Sequence, residues 1–346
     1  MMSLAQRRFL FAGLAVLVPL LLLACWKWAQ GSAPIPLVTS LSDGQSGKLL
    51  FSSYNARVSD LATEAYRQAP VNLLATLLLP VWDGERVPAA ILLHGSDGLS
   101  DHQYRVAESL RSLGLAVLLI DSFTARGVHD TVGDQSAVTP YSMLVDAYQA
   151  LALLRTHPAV DPNRIALIGW SKGGMVADWA SRVRYRTMIS NDSRTFAAHV
   201  AFYPWCGEQH LPVQLTGAPL LYLIGERDDW TGAAPCIDYA QRVREAGFDA
   251  RLVVHADAEH GFDYPGQFRH YLPGAESWVR CNYVWGDTGF RVIATGETMP
   301  WKEFGTYIER CVSRGAHVGS NAVARSAAGK ALREFLTEAL ALRKRG

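Results

Sequence analysis

The strongest structural signal in this chain is the stretch RIALIGWSKGG, residues 164–174. Its first half, RIALIG, is a continuous apolar run of the kind that forms a buried parallel strand. Its second half places Ser171 between Gly169 and Gly173 in a G-x-S-x-G pattern. Glycines on both sides permit a sharp turn from strand to helix, which exposes the serine hydroxyl at the carboxyl edge of the sheet. The sequence therefore predicts a nucleophilic serine at a strand-to-helix turn.

Short apolar runs alternate with helical patterns from residue 48 onwards. The predicted strands are VNLLATLLLP (71–80), AAILLH (89–94), LAVLLID (115–121), RIALIG (164–169), AAHVAFY (197–203), PLLYLIG (219–225) and ARLVVH (250–255). Helical patterns lie at 101–113, 139–156, 172–186 and 233–247, and a last helix follows residue 320. This alternation is typical of a mostly parallel, doubly wound sheet covered by helices on both faces. No repeat or linker divides the region, so we expect one α/β domain over residues 48–346.

The chain also supplies the two groups that an attacking serine needs. A serine hydroxyl is a poor nucleophile without a base to take its proton, and the base needs a carboxylate to orient it. Asp228 follows the predicted strand PLLYLIG, and His260 follows the predicted strand ARLVVH. Ser, then Asp, then His is the chain order of α/β-hydrolases. The sequence predicts a catalytic triad of Ser171, Asp228 and His260, with the adjacent Asp229 as the alternative acid.

A tetrahedral intermediate needs hydrogen-bond donors for its oxyanion. The backbone amide after the nucleophile, that of Lys172, is presented by the turn itself. The second donor normally comes from the loop after an early strand, where the sequence reads HGSDG from His94 to Gly98. We assign the amide of Ser96 to this role; a glycine-rich turn without a ligand is the alternative.

Several motifs resemble those of the dienelactone hydrolase family of α/β-hydrolases, from about residue 88 to the end. They are HGSDG (94–98), DSFTARG (121–127), GWSKGG (169–174), FYPWC (202–206), GERDDW (225–230) and HGFD (260–263). The resemblance implies an α/β-hydrolase fold and hydrolysis of ester or lactone bonds without a metal or organic cofactor. Two departures matter: the founding members carry a cysteine where this chain has Ser171, and their early-loop glutamate has no counterpart in HGSDG. The chain therefore resembles a serine-nucleophile variant of the family.

The resemblance also suggests contacts for the substrate. Members of the family recognise carboxylates with arginine, which makes Arg126 a candidate for an anionic group, and Trp170 in the turn is a second candidate contact. A structural salt bridge is the alternative for Arg126.

The N-terminal segment predicts export. Residues 9–24, FLFAGLAVLVPLLLLA, carry no charge and follow Arg7 and Arg8, which is the charge order of an export signal or an N-in membrane anchor. Cleavage, lipidation at Cys25 and retention as an anchor all remain open. We expect residues 1–30 to be this signal or anchor, residues 31–47 to be a tether, and the domain to lie outside the cytoplasm in association with a membrane.

The remaining cysteines fit an oxidising compartment. The simplest pairing joins neighbours in the sequence, Cys206 with Cys236 and Cys281 with Cys311. No CxxC or Cys/His cluster with the spacing of a zinc site appears. We therefore expect two disulfide bonds, with four unpaired buried cysteines as the alternative, and no metal.

The size and charge of the chain indicate what kind of partner it binds. The chain has 346 residues, 49% hydrophobic and 19% charged, which suits one large core. Its 33 basic and 32 acidic residues give a net charge of +1, without the basic surface that nucleic acids need. We expect a small-molecule ester or lactone as the substrate and no nucleic-acid partner.

Residues 264–311 form a predicted insertion between the His260 loop and the last helix. Ten of these residues are aromatic: Tyr264, Phe268, Tyr271, Trp278, Tyr283, Trp285, Phe290, Trp301, Phe304 and Tyr307. Such an excess of aromatic side chains demands burial. The insertion either packs against the core or overhangs the pocket as an apolar acyl site.

The leading hypothesis is a carboxylesterase or lactonase that forms an acyl-enzyme on Ser171, with His260 as base and then acid. A peptidase or amidase of the same fold is the alternative enzyme. A binding protein that kept the fold and lost turnover is the alternative from a different class.

Overall fold

The computed structural model describes residues 34–81, 84–190, 195–266 and 268–342. The predicted signal or anchor, residues 1–30, lies outside the described residues, and so does Cys25. None of the helices in the described ranges has the length and apolar character needed to cross a membrane.

A nine-stranded sheet forms the centre of the domain. Its strands, in chain order, are β1 (Leu37–Val38), β2 (Gly47–Tyr54), β3 (Pro70–Leu78), β4 (Val87–Leu93), β5 (Ala116–Asp121), β6 (Val160–Trp170), β7 (Ala198–Phe202), β9 (Leu220–Gly225) and β10 (Ala250–His255). Their order across the sheet is β1-β2-β3-β5-β4-β6-β7-β9-β10. Only β3 runs antiparallel to its neighbours β2 and β5. This confirms the predicted mostly parallel sheet of an α/β-hydrolase fold, and each of the seven predicted strands is present.

The α-helices flank this sheet. In chain order they are α1 (Val58–Thr63), α2 (Asp101–Ser112), α3 (Pro140–Leu154), α4 (Lys172–Ala180), α5 (Val183–Ile189), α6 (Ala233–Glu245), α7 (Phe304–Cys311) and α8 (Ala322–Ala339). Short 3₁₀ turns lie at Ala65–Gln68, Thr124–Arg126 and Trp301–Glu303.

The central strands are apolar throughout because both of their faces are covered. Successive side chains of a strand point to opposite faces. In β4, Ile91 and Leu93 pack in one core cluster with residues of α3 and α4, whereas Ala90 and Leu92 pack in another with residues of α2 and α8. This two-layer burial explains why the strands read as continuous apolar runs rather than alternating ones.

Part of the predicted tether belongs to the domain instead, which corrects the boundary at residue 47. Leu37 and Val38 form β1, which pairs in parallel with β2 at Leu50 and Phe51. Leu41 is fully buried, and its amide donates to Thr156 Oγ1. The tether prediction missed this strand because two residues are too few to show a periodic pattern.

Residues 270–318, which we call the roof segment, lie outside the nine-stranded sheet. The roof segment contains β11 (His270–Ser277), β12 (Tyr283–Trp285), β13 (Gly289–Val292), β14 (Thr298–Pro300), α7 and β15 (Ser313–Val318). β11 pairs with β15 in an antiparallel ribbon. β14, β13 and β12 form a second small sheet that is completed by β8 (Glu208–His210), which follows β7 in the domain. The extra segment thus runs to Val318, past the predicted end at residue 311.

Both predicted disulfide bonds are present. Cys206 is joined to Cys236 in α6, and Cys281 is joined to Cys311 at the end of α7. The second bond ties the two ends of the small-sheet region of the roof segment together.

Candidate active site

Ser171 occupies a sharp turn between β6 and α4. Its backbone φ is 51°, in the region that residues with a side chain rarely adopt. A Cβ added at Gly173 would lie 2.5 Å from the carbonyl oxygens of Leu93 and His94, and one added at Gly169 would overlap the carbonyl of Gly173. Only glycine fits at either position. The two glycines therefore allow the backbone contacts that hold the strained serine.

A continuous hydrogen-bonded chain joins Ser171, His260 and Asp228. The Ser171 Oγ lies 2.9 Å from His260 Nε2, and His260 Nδ1 lies 2.8 Å from Asp228 Oδ2. Asp228 also accepts hydrogen bonds from the amides of Trp230 and Thr231 and from the Thr231 hydroxyl. The imidazole is thus held between a hydroxyl and a carboxylate, in the geometry of a serine-hydrolase triad.

The surroundings of Asp228 keep its carboxyl group ionised. Burial would raise the pKa of this carboxyl, but the neighbouring His260 and the hydrogen bonds from Thr231 outweigh burial and hold the pKa below its ordinary value. A carboxylate in this position orients the imidazole and stabilises the imidazolium that forms during proton transfer.

Asp229, the alternative acid, points elsewhere. Its carboxylate accepts hydrogen bonds from the amide and from Nδ1 of His317, at 2.8 and 2.7 Å. His317 belongs to β15 of the roof segment, so Asp229 ties this turn to the roof. The geometry selects Asp228 over Asp229 as the partner of His260.

Beneath the histidine lies a buried polar network centred on Asp263. Its carboxylate accepts hydrogen bonds from Tyr203 Oη, Trp170 Nε1 and His102 Nε2, at 2.7, 2.8 and 2.8 Å. The Tyr203 ring in turn packs edge-on against the His260 ring, with centroids 4.6 Å apart. The network supports the His260 ring from below, and the sequence showed only that Asp263 ends the HGFD motif.

This network corrects the prediction that Trp170 contacts the substrate. Trp170 is fully buried, stacks on Phe202 and does not line the cavity at Ser171. Ser171, the next residue in the turn, lines the cavity, whereas the Trp170 side chain lies in the core and donates a hydrogen bond to Asp263.

Arg126 is likewise a structural residue, so the second predicted substrate contact is also corrected. Its guanidinium contacts both carboxylate oxygens of Asp146, at 2.8 and 2.9 Å, and donates to Asn55 and to the carbonyls of Tyr54 and Ser122. The Arg126 side chain is only 5% exposed and that of Asp146 is fully buried. The charge of Arg126 is therefore paired inside the protein and is not available to a substrate.

Ser96 and Lys172, the predicted oxyanion residues, both line the cavity beside Ser171. Lys172 begins α4, and the first amides of a helix have no acceptor within the helix. Gly95 brings the early loop close to the serine, since a Cβ added there would lie 3.3 Å from Ser171 Cβ. Both predicted residues therefore lie next to Ser171.

His94 fixes the early loop. Its Nε2 accepts from the Ser122 amide at 3.1 Å, which leaves Nδ1 as the protonated nitrogen that donates to the Gly95 carbonyl at 2.8 Å. Complete burial lowers the pKa of His94 and keeps the ring neutral. The sequence places His94 in this loop but assigns no role to its side chain.

The side chain of Lys172 joins the start of α4 to the segment 131–138. Its ammonium donates to Thr131 Oγ1 at 2.7 Å and to the carbonyls of Val138 and Gln135 at 2.9 and 3.0 Å. The segment that it holds also contacts Ser96, whose hydroxyl donates to Gln135 Oε1 at 3.0 Å. Burial lowers the pKa of Lys172 to about 7. The sequence predicted a role only for the Lys172 amide, because nothing in it shows that the ammonium is buried.

A cavity of ≈ 430 Å³ opens at Ser171. Aromatic side chains dominate its wall: Tyr141, Trp179, Trp205, Trp230, Trp278, Tyr283 and Phe304. Trp278, Tyr283 and Phe304 come from the roof segment. Two other aromatic residues of the predicted insertion behave differently: Phe290 is buried in the main core cluster, and Phe268, which precedes the roof segment, is 90% exposed. The aromatic excess therefore serves both the core and the pocket.

The fold and the triad geometry are those of the α/β-hydrolase class. Comparison with known proteins identifies the family: the model of the dienelactone hydrolase family matches residues 73–281, and the chain belongs to this family. It is a hydrolase that acts on ester or lactone bonds. Among the described residues, no group of three or more His, Cys, Asp and Glu side chains could hold a metal ion.

Individual relatives are distant. A Bradyrhizobium sp. protein named "Probable 2-oxo-3-(5-oxofuran-2-ylidene)propanoate lactonase" is 26% identical over 202 residues, which cover 55% of this chain and 78% of the relative. The native structure of an esterase from Thermogutta terrifontis, Est2, is 18% identical, with a TM-score of 0.46 and coverage of 57% of this chain and 81% of that one. The same esterase phosphorylated by paraoxon is 18% identical, with a TM-score of 0.46 and coverage of 63% and 86%.

Proposed function

We propose that this protein cleaves carboxylic esters or lactones through an acyl-enzyme on Ser171. The observation that carries the proposal is the unbroken hydrogen-bonded chain from Asp228 through His260 to Ser171 Oγ, at the wall of an aromatic cavity. A hydroxyl held by an imidazole, which is itself held by a carboxylate, is the arrangement that activates serine for attack on a carbonyl carbon.

In the first half-reaction, Ser171 Oγ attacks the carbonyl carbon while His260 Nε2 takes the hydroxyl proton. Asp228 holds the opposite ring nitrogen at 2.8 Å and offsets the positive charge of the imidazolium. The amides of Ser96 and Lys172 donate to the oxyanion of the tetrahedral intermediate. When this intermediate collapses, the carbon–oxygen bond to the alcohol breaks and His260 gives its proton to the leaving oxygen.

In the second half-reaction, His260 takes a proton from water, and the hydroxide oxygen attacks the acyl carbon. Collapse of the second intermediate releases the carboxylic acid and returns the proton to Ser171. With a lactone the leaving oxygen stays attached to the acyl chain, so a single hydroxy acid leaves at the end. The Bradyrhizobium relative is named for a lactone substrate, and the same steps serve both substrate types.

Labelling with a fluorophosphonate probe tests the proposal. The purified wild-type protein should be labelled at Ser171 and should hydrolyse simple aryl esters, whereas Ser171→Ala should lose both properties because only the attacking oxygen is removed. Ser59→Ala, at an exposed serine of α1, is the matched control and should behave as wild type. Labelling retained in Ser171→Ala would refute the assignment, and a wild-type protein that takes no label would favour a binding protein.

We further propose that the domain works outside the cytoplasm. Two disulfide bonds support this location, since disulfides persist mainly in oxidising compartments. The order of charge and apolar residues in the N-terminal segment also favours export. A C-terminal reporter that is active only outside the cytoplasm should be active in this fusion, and activity of a cytoplasm-only reporter would contradict the proposal.

A further inference from the structure

Four charged side chains line the cavity within the described part of the chain, and three of them are acidic: Asp134, Glu208 and Glu276, beside Lys172. A pocket that bound a carboxylate substrate would need a cation with free hydrogen-bond donors. The availability of each charged group therefore decides which substrates the pocket favours.

Lys172 is not available to an anion. Its ammonium has three donors, and all three are used on Thr131 Oγ1 and on the carbonyls of Gln135 and Val138. Burial lowers its pKa to about 7, so part of its positive charge is absent at neutral pH. Arg126, the residue predicted to contact an anionic group, is paired with the buried Asp146.

Glu208 is balanced from within the protein. Its carboxylate accepts hydrogen bonds from Tyr185, Tyr283 and His210, and Arg182 lies 3.6 Å from it. This glutamate holds the aromatic wall in place, and its charge has a buried cation beside it.

Glu276 is different. Its Oε1 accepts a hydrogen bond from Trp278 Nε1 at 2.7 Å, while the nearest cation in contact, Arg314, is 3.9 Å from Oε2. The Arg314 side chain is 58% exposed, so water screens its charge. The backbone carbonyl of Glu276 accepts from Trp230 Nε1 at 2.9 Å, which fixes the residue between two tryptophans of the cavity wall. A carboxylate paired with an exposed arginine thus stands beside the aromatic rings of the cavity wall.

Carboxylates and aromatic faces both attract cations and both disfavour anions. We propose that the cavity prefers esters that are neutral or cationic near the reacting carbonyl and discriminates against esters that carry a carboxylate, with Glu276 as the residue that sets this preference. The inference rests on the proposed function, because it names the substrate class of the same site.

The test uses p-nitrophenyl esters with three acyl chains of equal length, which end in a trimethylammonium, a tert-butyl or a carboxylate group. The first two groups have the same shape and differ in charge. In the wild-type protein, kcat/KM for the carboxylate ester should be about tenfold or more below that of the tert-butyl ester, and the trimethylammonium ester should match or exceed the tert-butyl ester. Low ionic strength keeps the effect large.

Glu276→Gln should raise the carboxylate-to-tert-butyl ratio of kcat/KM by about threefold or more, because one negative charge leaves the wall. Glu297→Gln is the matched control: it removes the same charge from an exposed position of the roof segment, away from the cavity, and should leave the ratio unchanged. An equal change of the ratio in both variants would show a long-range charge effect and would overturn the role of Glu276.

A binding measurement needs no Glu276 variant. Phenyltrimethylammonium should quench the tryptophan fluorescence of Ser171→Ala protein at lower concentration than benzoate does, and the opposite order would overturn the inference. Wild-type protein that hydrolyses the carboxylate ester as well as the tert-butyl ester would also overturn it, while the acyl-enzyme proposal would stand. Failure of all three esters together with absence of fluorophosphonate labelling would overturn both.

Discussion

Replacement of Lys172 by Met tests whether burial of the ammonium next to Ser171 destabilises the folded protein. Burial lowers the pKa of this lysine from 10.5 to about 7, although Glu276 and Asp134 act in the opposite direction. Between these two pKa values the unfolded chain holds a proton that the folded protein has lost, so the free energy of unfolding rises with pH. The free-energy cost of burying the charge is fully present below about pH 7, the pKa in the folded protein, and is absent above pH 10.5, the pKa in the unfolded chain.

The magnitude follows from the same pKa values. One pKa unit corresponds to about 1.36 kcal/mol, and the window between about pH 7 and about pH 9 covers a little over half of the titration, which amounts to about 2 kcal/mol. The difference in the free energy of unfolding, wild type minus Lys172→Met, should therefore increase by about 2 kcal/mol across this window. Urea unfolding followed by tryptophan fluorescence at several pH values measures the difference.

Lys330→Met is the matched control, because Lys330 lies on α8 with a side chain that is 71% exposed and paired with the exposed Glu334. Its difference from wild type should stay flat with pH. A flat profile for Lys172→Met would refute the buried-charge reasoning. A difference that falls as the pH rises would mean that a carboxylate holds the ammonium and raises its pKa.

The remaining predictions concern the triad, the turn and a structural ion pair. Asp228→Asn should lower kcat for ester hydrolysis by on the order of 10⁴-fold, whereas Asp229→Asn should cost far less; the reverse order would place the acid at Asp229. Gly173→Ala should destabilise the protein by about 3 kcal/mol or prevent folding, because its Cβ would lie 2.5 Å from two carbonyl oxygens, while Gly305→Ala, with open space around it, should change stability by less than about 1 kcal/mol in the same unfolding assay. Arg126→Met should cost about 3–5 kcal/mol of stability by leaving Asp146 unpaired, and a rise in KM for anionic esters without a loss of stability would restore it as a substrate contact.

The sequence predicted the strands of the main sheet because burial on both faces demands apolar residues at every position. It also predicted Ser171 from a local pattern, since the glycines that flank the serine are required by backbone contacts within a few ångströms. His260 and Asp228 followed from chain order, because parallel strands bring their carboxyl ends to one edge of the sheet.

The features that escaped prediction depend on contacts between distant residues. Arg126 and Asp146 are 20 residues apart, and nothing local distinguishes a paired arginine from one that faces a substrate. The ammonium of Lys172 meets acceptors 34 to 41 residues away, and the residue itself reads as an ordinary helix start. The pairing of β8 with β12 joins Glu208 to Tyr283, and such short strands carry no pattern of their own.

The roof segment is bonded to the domain on several sides, through the pairing of β12 with β8, through His317 to Asp229, and through the Glu276 amide to the Val132 carbonyl. It supplies part of the cavity wall but none of the three residues of the hydrogen-bonded chain Ser171–His260–Asp228. Shape selection and bond cleavage are therefore carried by separate stretches of chain. Substitution of roof side chains such as Phe304 can change the shape of the pocket to fit a different acyl group without altering the triad. Because the wall is already formed before the ester binds, little binding free energy goes into ordering it.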